Sequence, residues 1–188
     1  MKLFAASLTL LLAGCASHHS YEWADLEPGC YEKRGLYEAR DYMGLTDIRI
    51  ARLHDTGQDP GLMVHFRRQI KGIFGQDKGQ PDLLLAVGDR QRSCVIVLQQ
   101  SACPQAEAIY TALTSATIPV GYAFNDPTGI TLLHGTTYFL SSRDGQGNQI
   151  DWRYYGPDHP LQQTLSNALD NLAVCAKPAA TAFNGAGL

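Results

Sequence analysis

The sequence predicts a single α+β domain, or a mixed α/β one, with an antiparallel-rich sheet covered by two or three helices. Three observations carry this expectation. Short apolar segments of strand length come in adjacent couples divided by dense turn signals, the mark of hairpins. Leu161, Leu165, Ala168, Leu169 and Leu172 fall on one stripe of residues 160–175, as in an amphipathic helix. The chain has 188 residues, 45% hydrophobic and 18% charged. That is enough to bury one core, and it excludes wholesale disorder, collagen, a coiled coil and a many-span membrane protein. A net charge of −3 without any run of like charges argues against a nucleic-acid partner.

The N-terminus reads as an address. Met1-Lys2 is a short positive start, followed by the apolar run LFAASLTLLL over residues 3–12. A helix of that length spans about 15 Å, half of the roughly 30 Å hydrocarbon core, so it suits a signal peptide better than a membrane span. Leu12-Ala13-Gly14-Cys15 then resembles the lipobox of bacterial lipoproteins, a resemblance confined to the first fifteen residues or so. It implies cleavage of residues 1–14 and a lipidated Cys15 as the first mature residue. It also implies a membrane partner reached through the lipid. With Ala16 and Ser17 after the cysteine, and no Asp, the resemblance implies the outer membrane and a periplasm-facing domain in a Gram-negative host, whereas a Gram-positive host would place the protein on the outer face of the cell membrane. Residues 15–29 are then a polar tether, which includes His18-His19.

The globular part is expected over residues 30–176. Residues 31–43 carry Tyr31, Leu36, Ala39, Tyr42 and Met43 among charges, a modest helix that Gly44 would stop. Ile48, Ile50 and Leu53 mark a strand, and residues 55–61 (DTGQDPG) a turn. Leu62, Val64 and Phe66 alternate with Met63 and His65, a partner strand with one buried face. Residues 67–79 set Ile70, Ile73 and Phe74 among Arg67, Arg68, Lys71 and Lys78, a short helix with its apolar side inward. Residues 83–87 and 93–98 flank GDRQR as a second hairpin near the sheet centre. Pro104 opens a helix, and residues 119–124 return as a strand, a unit that could be a right-handed crossover. Residues 130–142 form a long strand interrupted at Gly135, and 149–155 its hairpin partner, with Trp152 and Tyr154 on one face. Residues 177–188, rich in Ala, Gly and Pro, read as a loose tail.

Setting Cys15 aside leaves Cys30, Cys94, Cys103 and Cys175, an even set that reads as two disulfides in an oxidising compartment. Three connectivities are possible. A strand leaving Cys94 carries the chain about 3.3 Å per residue away from it, whereas a bridge needs Cα atoms within about 7 Å. Cys94 with Cys103 is therefore the least comfortable pair. The expectation is that Cys30 joins Cys94 or Cys103 and that Cys175 takes the other.

Chemistry is sparsely signalled. G-x-S-x-G, P-loop, H-E-x-x-H, Rossmann and papain-like patterns are all missing, no cofactor motif is present, and the cysteines lack metal spacing. One constellation stands out. His54-Asp55-Thr56 and His134-Gly135-Thr136 are two His-x-Thr triplets 80 residues apart. They resemble the paired motifs of the two-histidine phosphoesterase superfamily. The resemblance implies His54 and His134 as acid and base, with Thr56 and Thr136 holding the phosphate of a phosphodiester. His134 falls in a strand pattern, as that family requires, while His54 runs toward the turn at Gly57.

A second constellation favours binding. Tyr138, Trp152, Arg153, Tyr154 and Tyr155 gather on the late hairpin, and Tyr, Trp and Arg are the residue types of interface hot spots. The sequence is thus best read as a membrane-tethered, non-enzymatic binding module for a protein or another envelope component, in an assembly, inhibitor or immunity role. A phosphoesterase-like hydrolase and a structural envelope lipoprotein are the alternatives.

Overall fold

The computed structural model describes residues 28–33, 35–36, 48–55, 59–67, 82–117, 135–143, 148–155 and 159–185. Among them are seven strands: β1 (Gly29–Glu32), β2 (Ile48–His54), β3 (Gly61–Arg67), β4 (Asp82–Gly88), β5 (Arg92–Gln99), β6 (Thr136–Arg143) and β7 (Gln149–Tyr155). They form one sheet in the order β1-β5-β4-β3-β2-β6-β7, and each pairing is antiparallel. Three helices follow or interrupt them: α1 (Ala106–Thr114), α2 (Pro160–Ala173) and α3 (Lys177–Gly185). The α+β class expected from the sequence is therefore met by an antiparallel seven-stranded sheet with three helices.

The three expected hairpins all form, β2 with β3, β4 with β5 and β6 with β7. The tight β4–β5 turn has a local cause. The Asp89 carboxylate accepts hydrogen bonds from the backbone N–H groups of Gln91 (2.7 Å) and Arg92 (2.8 Å), so a side chain holds the turn closed.

One face of the sheet packs Ile48, Ile50, Leu62, Val64, Phe66, Leu83, Leu85 and Leu140 against the helices. The apolar stripe of α2 (Leu161, Leu165, Ala168, Leu169, Leu172) is buried there as its periodicity requires. The opposite face carries a second cluster of Leu36, Ala51, Leu53, Met63, Leu84, Ala86, Val95 and Phe139. This corrects the expectation that β3 buries one face only. Met63 and His65, read as the solvent side, are both fully buried. Strands covered on both faces lose the clean alternation of a half-exposed strand, and His65 imitated one.

Three further expectations change. Residues 31–32, assigned to a helix, belong to β1, because Cys30, Tyr31 and Glu32 lie opposite Cys94, Ser93 and Arg92 of β5. Helix α1 starts at Ala106, two residues after Pro104, behind a 3-10 turn at Gln100–Ala102. The segment read as a loose tail contains α3, which buries Ala179 and Phe183 against the sheet, and the Arg92 guanidinium lies over the Phe183 ring at 5.1 Å. The expected signal peptide and lipid site (1–15), most of the expected tether, the expected helix at 67–79 beyond Arg67 and the expected strand at 119–124 lie outside the described residues.

Disulfides Cys30–Cys94 and Cys103–Cys175 follow the expected pattern, with sequence separations of 64 and 72. The first clamps β1 to β5 at register partners. The second ties the segment before α1 to the turn after α2. Among the described residues no helix is long and apolar enough to cross a membrane.

Candidate functional site

The two constellations picked from the sequence meet at one end of the sheet. β2 and β6 are neighbours, and their register sets His54 opposite Thr136. The two side chains share a hydrogen bond, His54 Nδ1 to Thr136 Oγ1, at 3.1 Å. His54 closes β2 rather than lying in the turn that follows, so its ring is held by strand geometry. Thr56 and His134, the other halves of the triplets, lie outside the described residues.

Desolvation lowers the His54 pKa below that of a free imidazole, and the positive charge of Arg52 lowers it further, while Asp59 and Asp55 pull the other way. The ring is thus biased toward neutral, with Thr136 able to donate to a bare Nδ1. Arg52 itself reaches the other way, to Asp170 of α2 at 2.6 Å.

The chain next to His54 connects this corner to the aromatic hairpin. Asp55 donates its backbone N–H to the Gly135 carbonyl at 3.1 Å, and its own carbonyl accepts from Arg90 at 3.1 Å. Tyr155 lies against Gly135, where a Cβ would meet its ring at 3.0–3.1 Å, so a larger residue there would have to displace the ring by a few tenths of an ångström. Partial desolvation, then a hydrogen bond to the Asp55 carboxylate and that carboxylate's charge, raise the Tyr155 pKa above its ordinary value.

The hairpin residues divide by face. Tyr138 stands opposite both Arg52 and Tyr154, and its side chain is buried in the helix-side core. Trp152 and Tyr154 are half-buried and stacked, with centroids 5.8 Å apart. Both lean on the His159 ring, at 4.9 and 4.8 Å. Arg153 and Tyr155 are exposed on the other face, with the Arg153 guanidinium 5.4 Å from the Phe139 ring centroid. Gln149, Ile150, Asp151, Arg153 and Tyr155 are therefore what β7 offers to solvent. Ile150 was missed in the sequence, although its place two residues before Trp152 marks it as the same face.

His159 was also missed. It is buried, and its Nδ1 accepts the Leu161 backbone N–H at 3.1 Å, capping α2 ahead of Pro160. Burial lowers its pKa below the free value. Because His54 and His159 both bind protons less readily folded than unfolded, the unfolded chain takes up protons first as pH falls. Their stabilising contribution is complete above about pH 6.5 and is lost as pH falls from there through the lower folded pKa values. Protonated His159 also loses the lone pair that caps α2. The urea midpoint is expected to fall between pH 7.5 and pH 5.5, and to fall less in His159→Asn, which can cap without titrating. Equal pH dependence in the two proteins would remove His159 from this account.

Chemically, the described corner offers one imidazole, one hydroxyl and one carboxylate close together, and the hairpin offers an exposed strand with aromatic and charged side chains. Among the described residues, no group of three or more His, Cys, Asp or Glu side chains is placed to hold a metal ion. No family model matches the chain, and no curated protein and no solved structure matches it.

Proposed function

We propose that the chain is a lipid-anchored, periplasm-facing binding module of the outer membrane, non-enzymatic, with the β6–β7 hairpin as its docking element and a protein of the envelope as its partner. The observation that carries this reading is β7 itself. Among the described residues it ends the sheet order, and five of its seven residues are exposed, Ile150, Arg153 and Tyr155 among them. An edge strand holds out a row of backbone donors and acceptors, and extended segments of other proteins pair with such rows. Trp152 and Tyr154 are stacked on each other and packed on His159, so less side-chain freedom is left to lose on docking.

Membrane attachment rests on the lipobox-like residues 12–15 and on lipid at Cys15. Each buried CH₂ of an acyl chain contributes about 0.8 kcal/mol, so two or three chains hold a protein stably. Cys15→Ser is expected to move the protein from the membrane pellet to the soluble fraction. A variant that stays in the pellet would refute the anchor.

The docking reading is tested by a photoreactive residue in place of Ile150 in the full chain, in cells. One dominant crosslinked protein is expected, absent when the same group replaces exposed Thr164 on α2. No crosslink from position 150 would count decisively against docking at β7.

The His54–Thr136 hydrogen bond favours a second reading, a phosphoesterase-like hydrolase, because it joins one member of each His-x-Thr triplet. Here His54 and His134 would share acid–base work on a phosphodiester. The measurement is turnover of a nitrophenyl phosphodiester. Activity lost on replacing either His54 or His134 with Ala would support it, and none in the intact protein would end it.

A further inference from the structure

We propose that β7 pairs with β7 of a second copy of this chain, in antiparallel register about a two-fold axis at Trp152, so that two seven-stranded sheets join into one. This rests on the reading of the β6–β7 hairpin as a docking element and names the occupant of its edge.

The case begins with what β7 lacks. Natural edges are blunted by charged side chains, Lys above all, by Pro, by a bulge or by short length, and of these β7 carries only two charges of opposite sign, Asp151 and Arg153. β7 has seven residues, contains no Lys or Pro, and pairs with β6 residue for residue from Thr137↔Tyr155 to Arg143↔Gln149 without a bulge. The opposite edge differs, since β1 has four residues and is clamped to β5 by Cys30–Cys94.

The sequence of β7, Gln149-Ile150-Asp151-Trp152-Arg153-Tyr154-Tyr155, then selects the partner. A two-fold axis normal to the sheet keeps equivalent faces together, so an antiparallel self-pairing must set some residue opposite itself. Centred on Asp151, the register puts two carboxylates face to face. Centred on Arg153, it does the same with two guanidinium groups. Centred on Trp152, the middle residue, it uses the whole strand and sets Asp151 opposite Arg153 twice, Ile150 opposite Tyr154 twice, and Trp152 opposite Trp152. Opposite charges and apolar–aromatic pairs stabilise directly facing positions, and like charges destabilise them. The strand is thus complementary to itself over its full length in one register, since centring on Ile150 or Tyr154 pairs only three residues of each copy.

The side chains are placed to serve that register. Asp151 and Arg153 are both exposed, on the face away from Trp152. Asp151 is held by Gln149 at 2.6 Å, and Arg153 lies over Phe139, contacts that leave both groups at the surface near the edge. Ile150 is 56% exposed, an apolar side chain that the Tyr154 ring of a second copy would cover.

The test is sedimentation equilibrium of the full chain in density-matched detergent, with charge reversals. The intact protein is expected to be a concentration-dependent dimer. Asp151→Arg and Arg153→Asp should each weaken dimerisation at least tenfold, because each puts like charges opposite one another. The double variant D151R/R153D restores both pairs with the residues exchanged and should dimerise again. A monomeric intact protein, a dimer indifferent to either reversal, or a double variant that stays monomeric would each overturn the proposal. The two readings fail separately: a monomer that still crosslinks from position 150 to another envelope protein removes only the dimer. A swap-rescued dimer that crosslinks only to itself supports the dimer and removes the heterologous partner.

Discussion

Replacing Cys103 and Cys175 together with Ala is expected to lower stability by about 4 kcal/mol, because the bridge closes a loop of 72 residues in the unfolded chain. For a domain of this size that is about 8–16 °C in melting temperature. The effect should be global. Cys103 is fully buried in the helix-side core, and the bridge joins the segment before α1 to the end of α2, so its loss loosens the layer over the sheet. The comparison is thermal unfolding of the oxidised protein and the C103A/C175A variant. A loss below about 1 kcal/mol would mean that the bridge constrains little that packing does not already fix.

Leu165→Ala should cost about 2–5 kcal/mol, the range for a buried leucine cut back to a methyl group. Leu165 is fully buried on the stripe of α2 that faces the sheet. Neighbouring Thr164 points to solvent on the same helix, so Thr164→Ala should stay within about 0.5 kcal/mol. Chemical denaturation of the two variants separates burial from helix propensity, since Ala is the better helix former at both positions. Similar costs at the two sites would contradict the packing of α2 described above.

What the sequence allowed to be read was local, and what it hid was long-range. The three hairpins could be placed because their turns carry Asp, Gly and Pro between apolar runs, and Asp89 shows why such residues close a turn. Strand geometry set aside only the Cys94–Cys103 bridge, and it took the fold to choose Cys30–Cys94 with Cys103–Cys175 from the two patterns left. The β1–β5 pairing could not be read, since nothing local in Cys30-Tyr31-Glu32 points to a strand 62 positions away at its centre. Helix α3 was hidden by composition: Ala, Gly and Pro look loose until Ala179 and Phe183 find the sheet and Cys175 holds the chain beside it. His65 misled for the opposite reason, because a polar residue at the right parity imitates a solvent-facing position while being fully buried. At the candidate site the residue types were visible and their meeting was not. His54 and Thr136 come together only because β6, late in the chain, inserts beside β2.

The sheet order also fixes a span. β1, where the chain arrives from residue 15, and β7 lie at opposite edges, six strand spacings apart, or about 29 Å at ~4.8 Å each. The stretch from Cys15 to Cys30 can extend at most about 50 Å. A lipid at Cys15 would therefore act as a leash on one flank while β7 works at the other. Two chains joined through β7 would carry their leashes at the far ends of a fourteen-strand plank about 60 Å long, a footbridge held down at both ends. Detaching it would require both lipids to leave the bilayer before either could return, so residence on the membrane would lengthen without any new contact to lipid.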